Sequence, residues 1–357
     1  MWNNMKGKIN IWLFLCLVLL SCQSEEEGGI LSADRRIYLT ASIEDAKDSR
    51  APYSWEAPSL EHPLLVDVWA STNMNKFAHT PGADGLNSTN VELHSTARFT
   101  NAGEQLLNDA VYPSKENTQS KVYFVGMHPQ GWETVNENCD SATYTFTGKE
   151  DVMFAPRISG SYGENTGEED KPWPTFEFKH LLTWLRFEIM AESEAVSNAW
   201  GYLESIKIKS PNKVTVNLTK DDFVENEVVK FGDNLAELEL YSADNQVFPK
   251  DDTQSLPYTE DKVEEAYVLC APVEARVRDE QSGDLISEYT LLIKTTKRPE
   301  KEIQLDLKKA QEEYFTGSTR NTQFTIRLLF KMGNTINIST QAEEWKNGGI
   351  VNQEVKE

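Results

Sequence analysis

The sequence predicts an all-β protein made of two antiparallel β-sandwich domains in tandem. The main observation is that short segments with alternating apolar and polar residues recur along most of the 357 residues, separated by loops rich in Asn, Gly and Ser. A second observation is that no long amphipathic helical pattern occurs between these segments. Consecutive strands without crossover helices form antiparallel sheets, and such sheets bury their apolar faces against each other.

Residues 37–43 are the first predicted strand of the N-terminal domain. Ile37, Leu39, Ala41 and Ile43 fall on one face of this segment, as expected for a strand with one buried side. The other strands of this domain are predicted at residues 64–70, 121–127, 142–147 and 151–155, and helical turns are predicted at residues 103–110.

The boundary between the domains is predicted within residues 176–190. Phe178 lies in one phase of the alternation and Phe187 lies in the opposite phase, which a single flat strand cannot satisfy. We therefore expect one strand to close the first domain, a break at residues 180–183, and a second strand to open the next domain. The polar, Gly-containing segment 157–174 before this point is expected to be an accessible loop.

The C-terminal domain has a more regular succession of strands. It ends in a predicted hairpin, in which Phe324 and Ile326 belong to one strand, residues 331–334 form the turn and Ile336 belongs to the other strand. A short helix is predicted within residues 192–202. The other strands are predicted at residues 185–191, 203–209, 213–218, 235–241, 266–271, 288–294 and 302–307.

The first residues have the pattern of an export signal. Lys6 and Lys8 precede an apolar run at residues 11–20, which is too short to cross a bilayer as a stable helix. Cys22 follows directly in the sequence LLSC, and the whole segment resembles a bacterial lipoprotein signal peptide. This resemblance implies that Cys22 is lipidated and becomes the new N-terminus. The alternative is an uncleaved membrane anchor.

The chain is therefore expected to contain five segments. They are a lipoprotein signal peptide (1–21), an acidic linker (22–36), an N-terminal β-sandwich (37–178), a C-terminal β-sandwich (179–348) and a short tail (349–357).

The charge and the scarcity of reactive motifs exclude several functional classes. A formal net charge of −22 repels nucleic acid phosphates, so no nucleic-acid partner is expected. The sequence has no His-x-x-x-His pair, Gly-rich phosphate loop or nucleophile elbow. We therefore predict no catalytic residue, no metal, no cofactor and no enzymatic activity. Cys139 and Cys270, one in each half, are expected to be buried free thiols.

The tryptophans leave a second functional class open. Trp69, Trp184 and Trp345 lie in or beside predicted strands and are expected in the core. Trp132 and Trp173 lie near Gly or Pro in predicted loops, where an exposed indole could stack on a sugar. The alternative to a structural role is therefore a surface glycan-binding lipoprotein that stays monomeric.

Several short motifs resemble, in their order along the chain, the fimbrillin family of Bacteroidetes, whose members are subunits of type V pili. The motifs are LVDVW at residues 65–69, DVMFA at 151–155, FEFKHLLTWLRFEI at 176–189 and NTINISTQAEEWKNG at 334–348. The resemblance implies two transthyretin-like β-sandwich domains and a structural or adhesive role in a cell-surface fimbria. The segment QSEEE after Cys22 also resembles a signal for export to the outer face of the outer membrane.

The resemblance further implies a mode of assembly. In the family, a surface protease cuts after an arginine that follows the first strand, the strand leaves, and a strand from another fimbrial subunit fills the groove. Arg50 matches this arginine, whereas Arg35 and Arg36 precede the predicted strand. The displaced strand would be residues 37–43, with Ile37, Leu39, Ala41 and Ile43 on its buried face. The alternative is a permanent first strand in a monomer held by its lipid.

The implied partners are other fimbrial subunits through strand exchange, the outer membrane through the lipid on Cys22, and a host or bacterial surface ligand. The tail at residues 349–357 is short and polar, which makes it a poor donor strand. The sequence therefore favours a tip or accessory subunit that accepts a strand without giving one.

We expect Cys22→Ala to accumulate as an uncleaved precursor, because the lipobox cysteine defines the processing site. Precursor size and incorporation of a palmitate analogue measure this, and Cys16→Ala, inside the apolar run, is the matched control that should be processed normally. If added protease leaves the wild-type protein on intact cells fully protected, the predicted surface display is wrong.

Overall fold

The computed structural model describes residues 35–43, 63–77, 92–100, 105–113, 120–135, 139–223, 225–250, 255–273, 288–307, 320–344 and 350–353. Within these ranges most residues lie in strands, so the predicted all-β fold class is confirmed. No helix in the described ranges is long and apolar enough to cross a membrane.

The first half of the chain contains nine described strands: β1 (Arg36–Ile43), β2 (Leu64–Ser71), β3 (Glu92–Phe99), β4 (Gln105–Val111), β5 (Val122–His128), β6 (Glu133–Thr134), β7 (Ser141–Thr145), β8 (Met153–Gly160) and β9 (Thr175–His180). The second half contains twelve more strands: β10 (Thr183–Ala191), β11 (Leu203–Pro211), β12 (Lys213–Asn217), β13 (Val229–Phe231), β14 (Leu235–Tyr241), β15 (Val247–Phe248), β16 (Glu264–Cys270), β17 (Glu288–Thr295), β18 (Arg298–Asp306), β19 (Thr322–Phe330), β20 (Ile336–Glu344) and β21 (Ile350–Gln353). Two short helices lie between them, α1 (Glu194–Trp200) and α2 (Glu225–Val228).

Seven strands of the first half form one sheet, in the order β3-β2-β5-β8-β9-β1-β4. The two edge strands β3 and β4 also contact each other, so the sheet curls around its own core. That core is the N-terminal cluster, which consists of Ile37, Leu39, Leu64, Val66, Val68, Ala70, Leu93, Ala97, Phe99, Leu107, Ala110, Tyr112, Val122, Phe124, Met153, Ala155, Phe176 and Phe178.

A ten-stranded sheet contains most of the second half, in the order β18-β17-β11-β14-β16-β10-β19-β20-β21, with β15 paired to β14. Strand β10 lies near its centre, because it pairs with β16 on one side and with β19 on the other. Leu185, Phe187 and Ile189 on β10 are fully buried in a larger central cluster. Trp69 and Phe154 from the first half belong to the same cluster.

A small third sheet links the two halves of the chain. Its order is β13-β12-β7-β6, and β7 of the first half pairs antiparallel with β12 of the second, from Ser141 opposite Asn217 to Thr145 opposite Lys213. The hydroxyl of Thr143 donates a 2.9 Å hydrogen bond to the carbonyl of Val214. Where one domain ends and the next begins therefore stays a prediction, since backbone pairing and the central cluster both join the halves.

The predicted break at residues 180–183 is confirmed. Strand β9 ends at His180 and β10 begins at Thr183, with Leu181 and Leu182 buried between them. Leu181 N donates to the carbonyl of Val152 at 2.9 Å, and His180 Nδ1 lies 3.0 Å from the buried Asp151 carboxylate. This histidine is thus satisfied by its neighbours, as a residue at a buried strand end requires.

The predicted antiparallel pairing holds for most described strand pairs but not for two of them. Strand β1 pairs in parallel with β9, and β10 pairs in parallel with β19. Paired residues such as Thr40 and Thr175 are 135 positions apart, and Glu188 and Arg327 are 139 apart. A tight hairpin imposes antiparallel pairing only on consecutive strands, so partners this distant can run in either direction.

Two local predictions and one omission are corrected by the sheet topology. Residues predicted to form helical turns at 103–110 instead include β4, whose sequence QLLNDAV pairs with β1. Strand β3, ELHSTARF, was not predicted because its alternation is weak, yet it pairs with β2 along its length. Strand β8 continues to Gly160, so the loop predicted at 157–174 begins later. In each case pairing with a distant strand overrides local preference.

We expect Gly126→Ala to destabilise the N-terminal sheet by about 1–3 kcal/mol, because added core volume forces neighbours out of position. A Cβ at Gly126 in β5 would lie 2.8 Å from Phe178 Cζ and 3.3 Å from Phe176 Cδ1. Gly232→Ala is the matched control, since its nearest neighbour is 3.7 Å away. Urea denaturation of both variants measures the difference, and equal midpoints would contradict the described packing.

Candidate functional site

Strand β1 pairs with a different strand along each of its two halves. Its first half pairs antiparallel with β4, from Arg36 opposite Val111 to Leu39 opposite Gln105. Its second half pairs in parallel with β9, from Thr40 opposite Thr175 to Ile43 opposite Phe178. The strand is therefore an interior strand of a curled sheet, although it lies near the N-terminal end of the described chain.

The apolar face of β1 fills the N-terminal cluster. Ile37 and Leu39 are fully buried, and Ala41 and Ile43 are partly buried against the same cluster. Complete burial of an aliphatic side chain contributes roughly 1.5–3 kcal/mol. Strand β1 is thus a substantial part of the core of its sheet.

Hydrogen bonds hold β1 at its start, in its middle and along its polar face. Tyr112 N donates to Arg35 O at 2.9 Å, and Thr40 N donates to Pro174 O at 3.0 Å. The hydroxyls of Thr40 and Thr175 are 2.6 Å apart. The hydroxyl pair is exposed, so its net contribution is smaller than that of the buried apolar face.

The structure describes some of the predicted site residues and not others. Cys22 and Arg50 lie outside the described residues. Arg36 is the first residue of β1, one position earlier than the predicted strand start. Arg35 lies just before the strand. A cut after either arginine would leave residues 37–43 in the body of the protein.

The polar face of β1 forms one wall of a pocket with a volume of about 390 Å³. Arg36 and Tyr38 contribute this wall, next to the residues that precede β9. Residues of the segment between β8 and β9 line most of the rest of the pocket, and Tyr112 closes its floor. The complete lining consists of Arg36, Tyr38, Tyr112, Tyr162, Gly163, Asn165, Thr166, Lys171 and Trp173. We call this the β1 pocket.

Two aromatic rings dominate the β1 pocket. The ring centroids of Tyr38 and Trp173 are 4.8 Å apart and the ring planes are inclined by 36°. Both side chains are half-buried, so one surface of each packs and another faces the cavity. Aromatic pairs at this separation are attractive and orient each other.

The segment from Ser161 to Pro174 is shaped by its own hydrogen bonds. Asn165 Oδ1 accepts from Ser161 N at 3.0 Å, and Asn165 Nδ2 donates to Pro172 O at 2.6 Å. Gly167 has a φ of +81°, and a Cβ there would overlap the Trp173 indole. The glycine therefore allows both the left-handed backbone and the close approach of the indole.

The floor of the β1 pocket contains an unpaired hydroxyl. Tyr112 is 1% exposed, and its Oη has no hydrogen-bond partner among the described residues. Burial raises the pKa of Tyr112 above its ordinary value, so the hydroxyl stays protonated. A Cβ at Gly160 would lie 2.7 Å from this Oη and 3.0 Å from Asn165 Oδ1.

The β1 pocket has a positive lining in an acidic protein. Arg36 is exposed and Lys171 is half-buried, and no carboxylate lines the cavity. Within the described ranges neither cation forms an ion pair. The formal charge of the whole chain is −22, so this local charge is opposite in sign to that of the protein.

The structure separates the two tryptophans that were candidates for sugar stacking. Trp132 is 3% exposed and packs on Tyr144 at 5.4 Å, so the expectation that it offers an exposed platform is wrong. Trp173 does face a cavity. Trp69 and Trp184 are buried as predicted. Trp345 lies outside the described residues.

Cys139 and Cys270 are both free and buried, as the sequence indicated. Burial raises the pKa of the Cys270 thiol to about 12, so it is not a reactive thiolate at neutral pH. No group of three or more His, Cys, Asp or Glu side chains that could hold a metal ion occurs among the described residues.

Sequence reasoning missed the β1 pocket except for Trp173. One signal was present, because Arg36 and Tyr38 occupy the face of β1 opposite to Ile37 and Leu39. Their neighbours in the pocket come from residues more than seventy positions later, which no local pattern could indicate.

Comparison with known proteins gives a structural match and no sequence match. No protein-family model matches the chain, and no curated protein matches it. The crystal structure of a candidate cell adhesion protein from Bacteroides uniformis matches with a TM-score of 0.51 and 13% identity, covering 88% of this chain and 100% of that chain. The two proteins share a fold.

Two further structures match at lower TM-scores. A fimbrial protein from Bacteroides vulgatus has a TM-score of 0.44 and 14% identity, covering 87% of this chain and 100% of that chain. A fimbrial assembly protein from Parabacteroides distasonis has a TM-score of 0.41 and 10% identity, covering 88% of this chain and 98% of that chain.

We expect Leu39→Ala to destabilise the N-terminal sheet by about 2–5 kcal/mol, because it leaves a cavity in a fully packed core. Leu39 is fully buried. Thr40→Ala, on the opposite face of the same strand, is the control and should destabilise by about 1 kcal/mol or less, because it removes an exposed hydroxyl pair and a β-branched strand residue without opening a cavity. Denaturant unfolding gives both values, and a neutral Leu39→Ala would mean that β1 does not fill the core.

Proposed function

We propose that this protein is an adhesive cell-surface protein that acts as a tip or accessory subunit of a fimbria. The observation that carries the proposal is the position of β1, an N-terminal strand inserted as an interior strand of a curled sheet. The likeness in fold between this protein and a candidate cell adhesion protein from Bacteroides uniformis supports an adhesive role. The role is structural and not enzymatic.

Removal of β1 would leave a groove prepared for another strand. Ile37 and Leu39 would vacate fully buried positions, and Ala41 and Ile43 would vacate partly buried ones. The edges of β4 and β9 would lose their partner at the same time. An apolar groove between two unpaired strand edges favours capture of a donor strand by β-augmentation.

A cut after Arg50 would release β1, because Arg50 follows the strand in the chain. Such a cut would also separate the body of the protein from the lipid proposed on Cys22. The lipid would display the precursor on the outer membrane, and cleavage would free the body to join a fibre.

The C-terminal strand supports an accepting role more than a donating one. Strand β21 pairs antiparallel with β20, from Ile350 opposite Gln341 to Gln353 opposite Ile338. A segment already paired within its own sheet would have to give up that pairing before it could fill a groove in another subunit. This arrangement fits a tip or accessory subunit.

A second candidate function is a monomeric surface lipoprotein that binds glycans. The observation in its favour is the β1 pocket, in which Tyr38 and Trp173 face a cavity. In this case β1 would be permanent. Electron microscopy of cell-surface fibres and a glycan array distinguish the two functions, since fibres require strand exchange and a monomeric receptor does not.

We expect an Arg-specific protease to cut the purified protein so that a new N-terminus appears at Ala51, followed by capture of a donor peptide. N-terminal sequencing and a fluorescence-anisotropy binding assay measure the two steps. Arg50→Lys should abolish both the cut and the capture, whereas Arg35→Lys, before β1, is the matched control that should leave both intact. Fibres extracted from cells with residues 37–43 still attached to the body would refute strand exchange.

A further inference from the structure

We propose that the β1 pocket binds a carboxylated sugar ring, such as a uronic acid or a sialic acid unit. The inference rests on the second candidate function, glycan binding at the cell surface, and deepens it by naming the ligand class. Binding requires that β1 is in place, but it does not require that the strand is ever cleaved or exchanged.

The shape and composition of the β1 pocket suit a single sugar unit. Its volume of about 390 Å³ lies within the range of small-molecule sites, roughly 300–1,000 Å³. Such sites combine apolar walls with a few polar groups that fix orientation. Tyr38 and Trp173 offer flat apolar surfaces, which complement the C–H face of a pyranose ring.

The charge of the lining selects for a carboxylate. Arg36 and Lys171 contribute two positive charges to the cavity, and no acidic side chain lines it. A guanidinium binds a carboxylate through two parallel hydrogen bonds, and an ammonium adds a point charge. Because the rest of the protein is strongly acidic, an anionic ligand is favoured at this location over most of the remaining surface.

Tyr112 closes the floor of the pocket. Its hydroxyl is buried and stays protonated, so the floor carries no negative charge that would oppose a carboxylate. The preference for a sugar over an aliphatic acid therefore comes from the aromatic faces of Tyr38 and Trp173.

The ligand would bind only the form of the protein that retains β1. Arg36 and Tyr38 lie on β1 itself, before Arg50, so a cut and departure of the strand would remove one wall of the site. A ligand that binds one of two states stabilises that state by mass action. An occupied β1 pocket would therefore resist strand loss.

The test uses the full chain carrying Arg50→Lys, so that the strand stays attached. Isothermal titration with glucuronic acid and with N-acetylneuraminic acid covers two sources of the same chemistry, and glucose is the neutral counterpart. We expect at least one acid to bind about tenfold or more tightly than glucose, because a charge-assisted hydrogen bond contributes about 1.5–3 kcal/mol and 1.4 kcal/mol is a factor of ten.

Substitutions inside and outside the β1 pocket test whether the ligand binds there. Arg36→Gln combined with Lys171→Gln should weaken acid binding about tenfold or more, by the same conversion. Lys230→Gln, an exposed strand lysine outside the pocket, is the matched control and should leave affinity unchanged. Trp173→Ala should abolish binding, and Trp173→Phe should restore part of it if the aromatic face is the contact. Circular dichroism verifies that each variant is folded.

Three results would overturn the proposal: no binding of either acid at millimolar concentration, binding of glucose as tight as that of the acids, or a folded Arg36/Lys171 double variant with wild-type affinity. None of these results bears on the cleavage and strand-capture experiment, which uses the processed protein. Failure of the pocket and failure of fibre assembly are therefore distinguishable.

Discussion

The N-terminal half of this protein depends on one strand being held between two others. Strand β1 completes a curled sheet because its first half pairs with β4 and its second half pairs with β9. Its apolar side chains fill the core that the sheet encloses. Without β1, the same sheet would have two additional edges and an open core. Closure and stability of this half therefore both require a strand near the chain terminus.

The two faces of β1 have separate chemical roles. Ile37 and Leu39 are buried and stabilise the sheet, whereas Arg36 and Tyr38 alternate with them and form a wall of the β1 pocket. This separation follows from the period of two in a strand. A substitution on one face can therefore alter binding with little effect on the core, and a substitution on the other can alter the core with little effect on binding.

The local sequence pattern was sufficient to predict much of the fold. The alternation in β1, the phase change between β9 and β10, and the hairpin of β19 and β20 were all predictable because the information lies within each segment. Strand β4 was not, since its strand conformation is imposed by pairing with β1 across a long sequence separation. The direction of pairing between β1 and β9 could not be predicted either, because the two strands are too far apart in the sequence to be joined by a hairpin.

The β1 pocket could not be predicted as a whole for the same reason. Trp173 was identified as a candidate from its loop context, but so was Trp132, which is buried against Tyr144. The two tryptophans differ in the residues that the tertiary structure places against them. Trp173 reaches Tyr38 only because β9 pairs with β1 directly after it, and the pocket exists only where that pairing begins.

The order of features along the chain relates the two proposed functions. The proposed lipid site at Cys22, the wall residues Arg36 and Tyr38, and the apolar filling of β1 all precede the proposed cleavage site at Arg50. A single cut would then remove the anchor, one wall of the pocket and part of the core together. The uncut protein would be a membrane-held receptor for an acidic sugar, and the cut protein would be a fibre subunit without that pocket. Because a bound ligand stabilises only the uncut, strand-retaining form, it would shift the balance between these two states toward the receptor.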